Sequence, residues 1–520
     1  MAALLAAPVL VRWLGRKAFL ILAAAPASAA TWALVHTGAV LNGDGPTSDV
    51  LWVPSLGLAL SFRLDSLSWL LVLMVGGIGA AVFIYCSRYF SERSTGLGRF
   101  AAVLTAFAGA MLGLVTSDNL IQLYVFWELT TVFSYLLIGH YSDRVSSRRA
   151  AMKAILVTTV GGLAMLVGIV ILGTEAGTYS ISQILTLPPS GSLVEAAVAL
   201  ILVGAISKSA LVPFHFWLPA AMAAPTPVSA YLHAAAMVKA GVYLVARFAP
   251  AFATLPLWGA LVTVLGCLTL VVGGYQALRQ NDLKLILAYG TVSQLGLLIL
   301  LVGSPYKGPA LAGVALLGAH ALFKGCLFLT VGVIDAATGT RDLRRLSGLG
   351  RKLPLTAVVA ALATASMIGL MPFSGYVAKE SALDAFLTPG QYESPLKWAV
   401  IAAFAVGSAF TVAYGLRLWW GAFATKPGVP SYPVVVTPPP LFLIGPPALM
   451  AVAGLATGLL PDLGEAVLSP FSNRLPFGEP GHLALWSGFN PALAITIGIL
   501  ALGLALAAVG DRVQRWRFPW

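Results

Sequence analysis

The chain has 520 residues, of which 59% are hydrophobic and 10% are charged. These proportions exclude a soluble globular domain and a disordered chain, and they indicate a protein that crosses a membrane many times. The net charge of +12 resides in short basic segments between apolar runs, which is typical of cytoplasmic loops, so we expect the lipid bilayer and no nucleic acid as a partner.

Apolar runs near the roughly 20 residues that a membrane-spanning helix needs recur from end to end, without the alternation of a transmembrane β-barrel. The sequence therefore predicts an all-α polytopic membrane protein with about 14 to 16 transmembrane helices. The apolar start is predicted to be a first span and not a cleaved signal, because no basic region precedes it. The predicted spans are 1–11, 17–38, 66–86, 99–116, 119–139, 152–174, 195–220, 229–249, 256–278, 284–303, 308–334, 353–388, 396–421, 440–461 and 488–510.

Basic clusters between these spans predict the orientation. An even number of predicted spans separates neighbouring clusters, so all of them should lie on one face. The positive-inside rule makes that face cytoplasmic, with the N-terminus outside and the C-terminus inside the cell inner (plasma) membrane. The clusters are Arg12/Arg16/Lys17, Arg88/Arg93/Arg99, Arg144/Arg148/Arg149/Lys153, Arg279/Lys284, Arg341/Arg344/Arg345/Arg351/Lys352, Arg417/Lys426 and Arg512/Arg515/Arg517.

Two predicted spans, 195–220 and 353–388, are interrupted by Pro213 and Pro372. Proline removes an amide donor and clashes with the preceding turn, so both should be broken helices. Paired interrupted spans are typical of transporters built on an inverted repeat, with the ion path at the breaks. We therefore expect two inverted five-helix repeats, each with one broken helix. The predicted division is 1–98 (N-terminal helices), 99–249 (first repeat), 256–421 (second repeat) and 440–520 (C-terminal helices).

Three ionisable residues in the predicted spans, two of them near the breaks, are candidates for proton transfer. Glu128 lies within an apolar span with no basic residue within one helical turn, so its partner must come from another helix. Lys208 precedes the first break by five residues, and Lys379 follows the second by seven. A desolvated ammonium can lose its proton near neutral pH, whereas a guanidinium cannot, which favours switchable carriers at both positions.

Further histidines and lysines continue this polar pattern. His215 lies just beyond the first break. His233 and Lys239 share one span but point about 120° apart, so they should contact different neighbours. His320 and Lys324, four residues apart, share a helix face. Imidazole titrates nearest physiological pH, and these side chains together predict a proton relay.

The sequence contains no recognisable cofactor or metal motif. Cys86, Cys267 and Cys326 stand far apart, so neither zinc nor iron–sulfur spacing is present. No paired carboxylates suit a cation cage, and no glycine-rich phosphate loop follows a strand. We therefore expect part of a secondary transporter, not an enzyme, with no cofactor, no metal and no catalytic site.

Long motifs in this chain resemble the antiporter-like subunits of respiratory complex I and of Mrp-type cation/proton antiporters, and the A-type member of the Mrp subunits in particular. The resemblance covers roughly residues 60–510. It implies a proton-translocating subunit of a multi-subunit sodium(cation)/proton antiporter, with other membrane subunits, protons and Na⁺ as partners. The motifs include "YVFWELT", "APTPVSAYLH", "MVKAG", "TGTRDLRRLSGL" and "GLMPFSGYVAKES".

The same resemblance implies roles for individual residues. Glu128 would pair with Lys208, Lys379 would be the exit-side lysine, and a central hydrophilic axis would be formed by His233, Lys239, His320 and Lys324. Two alternatives stay open: a proton-pumping subunit of a redox-driven complex such as an NADH-quinone oxidoreductase or membrane hydrogenase, and the membrane subunit of a proton-coupled inorganic-carbon uptake complex.

Overall fold

A computed structural model describes residues 2–53, 58–433 and 438–509. Within these ranges, 12 helices are long and apolar enough to cross a membrane. The predicted all-α polytopic class is confirmed, and the chain is a multi-pass membrane protein. The predicted basic cluster at Arg512, Arg515 and Arg517 lies outside the described residues.

The helices form one packed bundle. Those that precede the first break are α1 (Ala2–Leu14), α2 (Ala18–Leu22), α3 (Ala24–Val35), α4 (Thr37–Leu41), α5 (Ser66–Leu73), α6 (Gly79–Tyr89), α7 (Leu97–Thr116), α8 (Leu120–Ile138), α9 (Val145–Ala176), α10 (Ile181–Thr186) and α11 (Ser192–Lys208). Those between the two breaks are α12 (Trp217–Ala220), α13 (Thr226–Ala230), α14 (Lys239–Phe252), α15 (Pro256–Leu278), α16 (Leu283–Val302), α17 (Lys307–Thr338), α18 (Leu349–Lys352) and α19 (Pro354–Ile368). The remaining helices are α20 (Ser374–Leu387), α21 (Lys397–Phe423), α22 (Leu441–Leu459), α23 (Pro461–Ser472) and α24 (Pro491–Ala508).

The number of spanning helices differs from the prediction for two reasons. The first two predicted spans fall within one apolar stretch, Ala3–Val35, in which only a short 3₁₀ turn at Gly15–Lys17 separates α1 from α2. The two spans with internal prolines are each divided into shorter helices, so neither appears as one long helix.

A two-stranded antiparallel sheet accompanies the helices and was not predicted from the sequence. Strands β1 (Thr47–Val53) and β2 (Leu58–Arg63) pair between α4 and α5. The backbone amide of Ser61 donates to Gln122 of α8 at 2.7 Å. The sheet therefore covers one end of the bundle, which we call the hairpin end.

A buried ion pair ties this hairpin end together. Asp65 caps α5 by accepting from the amide of Ser68, and its carboxylate accepts from both terminal nitrogens of Arg247 near the end of α14. Arg247 also donates to the Ser68 hydroxyl at 2.7 Å, and Arg474 reaches Asp65 at 3.3 Å. Three distant segments of the chain thus meet at one carboxylate.

Basic segments come together at the opposite end. Arg16 donates to Glu92 at 2.9 Å. Arg341 lies 3.3 Å from Asp282, and Lys426 donates to the carbonyl of Leu343. Clusters that are far apart in sequence therefore meet at this end, and it stays a prediction that all of them lie on one cytoplasmic face.

Both helices that were predicted to be broken are interrupted. After Lys208, the chain leaves the helix and continues through Pro213, and the second break lies at Pro372 between α19 and α20. The peptide bonds before both prolines are cis. The Trp217 indole donates to the carbonyl of Ser207 at 3.0 Å, so part of the freed backbone is satisfied by a side chain.

A third irregularity was not predicted. Residues Tyr231–Ala235 form a π-helical turn, and a non-helical segment separates this turn from α14. Neither proline nor glycine lies within the turn to signal it. Turns of this kind occur frequently at functional sites.

The buried ion pair between Asp65 and Arg247 generates a stability prediction. Asp65→Asn keeps the size and capping oxygen of the side chain but leaves the buried Arg247 guanidinium without a full counter-charge. We expect a loss of about 3–5 kcal/mol in the free energy of unfolding in detergent, the usual cost of breaking a buried pair. The control is Arg344→Gln, which removes an exposed pair with Asp342 and should change little. Equal losses in the two variants would contradict this interpretation.

Candidate functional site

Lys208, the last residue of α11, is fully buried against α8. Its ammonium donates to the backbone carbonyl of Trp127 at 2.6 Å and to the hydroxyls of Thr130 and Thr131 at 2.6 and 3.0 Å. The same nitrogen lies 4.5 Å from the centre of the Trp127 ring. Neutral acceptors and an aromatic face therefore hold the charge.

Glu128 lies on α8, next to the residues that hold Lys208, but no ion pair joins it to Lys208 in the described structure. Its carboxylate is directed at α9, where a Cβ added to Gly162 would lie 2.1 Å from Oε1. That oxygen is buried without a hydrogen-bond partner. The structure thus brings Glu128 and Lys208 to neighbouring positions without pairing them, which differs from the pairing that the resemblance implied.

The centre of the bundle holds Lys239 and His320, whose Nζ and Nδ1 atoms are 2.7 Å apart. Lys239 is the first residue of α14, directly after the irregular segment. His233 lies in the π-helical turn, fully buried between the rings of Trp217 and Phe328, and both of its ring nitrogens lack a hydrogen-bond partner. His233 and Lys239 thus contact different neighbours, as we expected from their spacing.

Two further lysines continue toward the second break. Lys324 of α17 donates to the backbone carbonyl of Leu287 at 3.2 Å and lies 5.4 Å from the centre of the Tyr414 ring. Lys379 of α20 donates to the backbone carbonyl of Met367 at 2.7 Å. Met367 is in the last turn of α19, where carbonyl groups have no partner within the helix. The broken helix therefore supplies the acceptor for its own lysine.

Sequence reasoning missed Lys284, which it assigned to a loop cluster with Arg279. The structure buries this side chain, and its ammonium donates to the carbonyls of Met222 at 3.3 Å and Ala224 at 2.8 Å. The sequence contained one signal of this burial. Asp282 caps α16 and places Lys284 in the first turn of the helix. Side chains of an α-helix tilt toward its N-terminus, so the Lys284 side chain extends past the start of α16 toward a neighbouring segment.

These residues form two groups. Glu128 and Lys208 lie at α8 and α11, while a second group runs through the π-helical turn, α14, α16, α17 and α20. The hydroxyl of Ser209, next to Lys208, donates to the carbonyl of Val238, next to Lys239, at 2.8 Å. A hydrogen bond from a side chain to the backbone therefore connects the two groups. The second group comprises His233, Lys239, Lys284, His320, Lys324 and Lys379.

His215 stands apart from both groups. It lies in a 3₁₀ turn, Phe214–Phe216, and is half-buried next to the exposed ring of Phe216. No hydrogen bond or ring contact joins it to another predicted path residue in the described part of the chain. The helix ends at Lys208, so His215 does not continue the helix face that a regular helix would have given both residues.

The five buried lysines share one electrostatic property. Within the described residues, none of them forms an ion pair with a carboxylate. Their acceptors are carbonyls, hydroxyls and one imidazole. A lysine that is desolvated in this way can exist in either protonation state, which is what proton transfer along a line requires.

Comparison with known proteins shows the family of this chain. The profile of the family described as "NADH:quinone oxidoreductase/Mrp antiporter, TM" matches residues 117–411, more than half of the chain. The chain belongs to this family. A second profile, "NADH-Ubiquinone oxidoreductase (complex I), chain 5 N-terminus", matches residues 52–101. The family region therefore includes both proline breaks and all the buried lysines.

Individual relatives cover most of this chain. It is 41% identical over 502 residues to the A-type subunit of a Na⁺/H⁺ antiporter of Alkalihalophilus pseudofirmus, a match that spans 91% of this chain and 62% of that relative. It is 40% identical to the A/B-type subunit of a probable K⁺/H⁺ antiporter of Rhizobium meliloti, over 88% of this chain and 46% of that relative. The chain thus spans about half to two thirds of the length of these relatives.

One solved structure is similar over nearly the whole chain. A chain of the Mrp complex from Dietzia sp. DQ12-45-1b superposes with a TM-score of 0.89 at 37% sequence identity. The superposition covers 99% of this chain and 55% of that one. The bundle described above is therefore the fold of one large part of such a subunit.

The neutral surroundings of Lys208 generate a second stability prediction. In Lys208→Met, the hydroxyls of Thr130 and Thr131 keep their own bonds to the Trp127 carbonyl, and no carboxylate loses a partner. Replacing a buried ion pair by apolar side chains of similar volume is often neutral or stabilising by about 1–4 kcal/mol, and Lys208→Met removes a single buried charge that has no ion-pair partner. We expect thermal unfolding in detergent at or above the wild-type temperature. A loss as large as that in Asp65→Asn would show that Lys208 is structural.

Proposed function

We propose that this chain carries protons as one subunit of a multi-subunit cation/proton antiporter. The observation that carries the proposal is the row of buried lysines whose ammonium groups have only neutral acceptors in the described structure. A permanent buried charge without a counter-ion is costly in free energy, so such a row of lysines is favoured only where they gain and lose protons. The proposed path comprises Glu128, Lys208, His233, Lys239, Lys284, His320, Lys324 and Lys379.

The names of the relatives support antiport. One is named for Na⁺/H⁺ exchange and another for K⁺/H⁺ exchange, so we propose a monovalent alkali cation, with Na⁺ as the first to test. Other membrane subunits complete the antiporter in this proposal, since this chain is similar to one chain of an Mrp complex. Membership of a redox-driven pump is the second candidate, because the family profile includes NADH:quinone oxidoreductases.

We further propose that the chain lies in the plasma membrane with its N-terminus outside and its C-terminus in the cytoplasm. The shared position of the basic segments at one end supports this, because such segments favour the cytoplasmic face. The hairpin end then faces outward. In this orientation, α20 runs from the mid-membrane break toward the outside.

Two five-helix units, 99–249 and 256–421, remain our proposal for the repeat organisation, between N-terminal helices 1–98 and C-terminal helices 440–520. Each unit contains one broken helix with a lysine beside its break. Lys208 precedes the first break and Lys379 follows the second, which suits units of opposite orientation.

Lys208 acts in this proposal as a switch with two positions. In the structure, it is held by Thr130, Thr131 and the Trp127 carbonyl, and Glu128 is nearby but unpaired. Movement of the ammonium to Glu128 would stabilise the charged form of both groups. Movement back would place a positive charge near the central line and repel a proton toward Lys379.

Transport assays on reconstituted complexes test the switch. We expect Glu128→Gln and Lys208→Met each to abolish cation-driven proton exchange in proteoliposomes, because each removes one half of a shared element. The double variant should be no worse than either single variant. Losses that multiply in the double variant, with normal assembly, would show that the residues act independently.

The close approach of Gly162 to Glu128 allows a sharper test. An added methyl group in Gly162→Ala must displace the carboxylate, because the atom in its way is the flexible end of a side chain. We expect normal assembly but slower exchange, since misplacing a reacting group by about 1 Å can cost up to about 100-fold. Gly109→Ala is the matched control, because a methyl group there meets nothing within 4 Å. Equal rates in the two variants would exclude a role for the carboxylate position.

A further inference from the structure

Two carboxylates follow Lys379 on α20 and are not part of the path described above. Glu380 and Asp384 are four residues apart and share a helix face. The hydroxyl of Thr496 in α24 donates to Oε2 of Glu380 at 2.6 Å. The side-chain amide of Asn490, which caps α24, donates to Oδ1 of Asp384 at 3.4 Å. The C-terminal segment thus contacts both acids.

A small cavity lies between Lys379 and the first of these acids. Its lining includes Lys379, Glu380, Ser408 and Thr496, and its volume is about 20 Å³. The second oxygen of Glu380 and the hydroxyl of Ser408 are buried without hydrogen-bond partners. A cavity of this size holds about one water molecule when polar groups line it.

Beyond Asp384, the loop between α23 and α24 continues the polar contacts to the surface. The hydroxyl of Ser381 donates to the backbone carbonyl of His482 at 2.8 Å. The His482 ring lies 2.7 Å from the carboxylate of Glu465 and is 70% exposed. The loop also lies at the hairpin end, because its residue Arg474 reaches Asp65.

We propose that Glu380 and Asp384 form the release branch of the proton path. In the first step, an N–H bond of the Lys379 ammonium breaks and its proton passes to a water molecule in the cavity, which gives up another proton to form an O–H bond on Glu380. Asp384 receives the proton next and releases it near His482. Lys379 is left neutral and ready to be reloaded from Lys324. This inference rests on the proposed function.

The geometry separates this role from simple helix capping. Asn490 already caps α24 through its oxygen, which accepts from the amide of Leu493 at 2.8 Å, so Asp384 is not needed for the cap. Thr496 satisfies one oxygen of Glu380 and leaves the other directed into the cavity beside Lys379. Thr496 and Asn490 are therefore positioning residues for the two acids.

The experiment uses the whole antiporter complex in proteoliposomes, with cation-driven proton flux as the measurement. We expect Glu380→Gln to reduce the rate by about 100-fold, the lower end of what a positioned proton-transfer group contributes. Glu380→Asp keeps a carboxylate and should retain most of the rate. Asp384→Asn should also be slow. Glu195→Gln, an exposed carboxylate in the first turn of α11, is the matched control and should match the wild type.

The experiment distinguishes failure of the release branch from failure of the proposed function. If Glu128→Gln is inactive while Glu380→Gln and Asp384→Asn keep the full rate, the release branch is wrong and the function stands. If Glu128→Gln is fully active, the function itself fails. Equal losses in Glu380→Gln and Glu380→Asp would assign Glu380 a packing role and overturn the inference. If Glu380→Gln does not assemble, Asp384→Asn decides alone, and a full rate there also overturns it.

Discussion

The cost of burying an ammonium group in an apolar bundle is the constraint on which the interior depends. Each buried lysine must find acceptors, and an ion pair with a carboxylate would favour its charged form. Four of the five buried lysines donate to backbone carbonyls instead, at Trp127, Leu287 and Met367 and in the segment before α13, and Lys239 contacts the imidazole of His320. Neutral acceptors hold the proton without preventing its loss, so the interior stays folded in either charge state.

Irregular backbone makes some of these acceptors available. The last turn of α19 and the short helices near α13 leave carbonyls without a partner inside a helix, whereas Trp127 and Leu287 lie within the regular helices α8 and α16. The two breaks and the π-helical turn at Tyr231–Ala235 lie beside lysine or histidine side chains, and a further π-helical turn, Met74–Ile78, contains neither residue type. Non-helical backbone at such depth is tolerated in a membrane only within protein or beside a wet interior. Side-chain donors such as Trp217 meet part of the remaining requirement.

Charges that do not move are treated differently. At the hairpin end, Asp65 and Arg247 form a two-pronged pair, and Arg247 also donates to the hydroxyls of Ser68 and Tyr243. A guanidinium keeps its proton under all ordinary conditions, so this pair is a permanent link between segments. The bundle therefore combines a fixed ion pair at the hairpin end with buried ammonium groups along its middle, which gain and lose protons in the proposed function.

The sequence by itself determined the membrane class, most helix positions, both breaks and the residue types of the path, because apolar length, proline and charge act locally. It did not determine the hairpin, the π-helical turn or the burial of Lys284, since each depends on packing against distant segments. Only the tertiary structure decided that Lys208 is held by Thr130 and Thr131 and that Glu128 is directed toward Gly162. Which acceptor a buried charge reaches depends on the relative rotation of neighbouring helices, and no local pattern encodes that rotation.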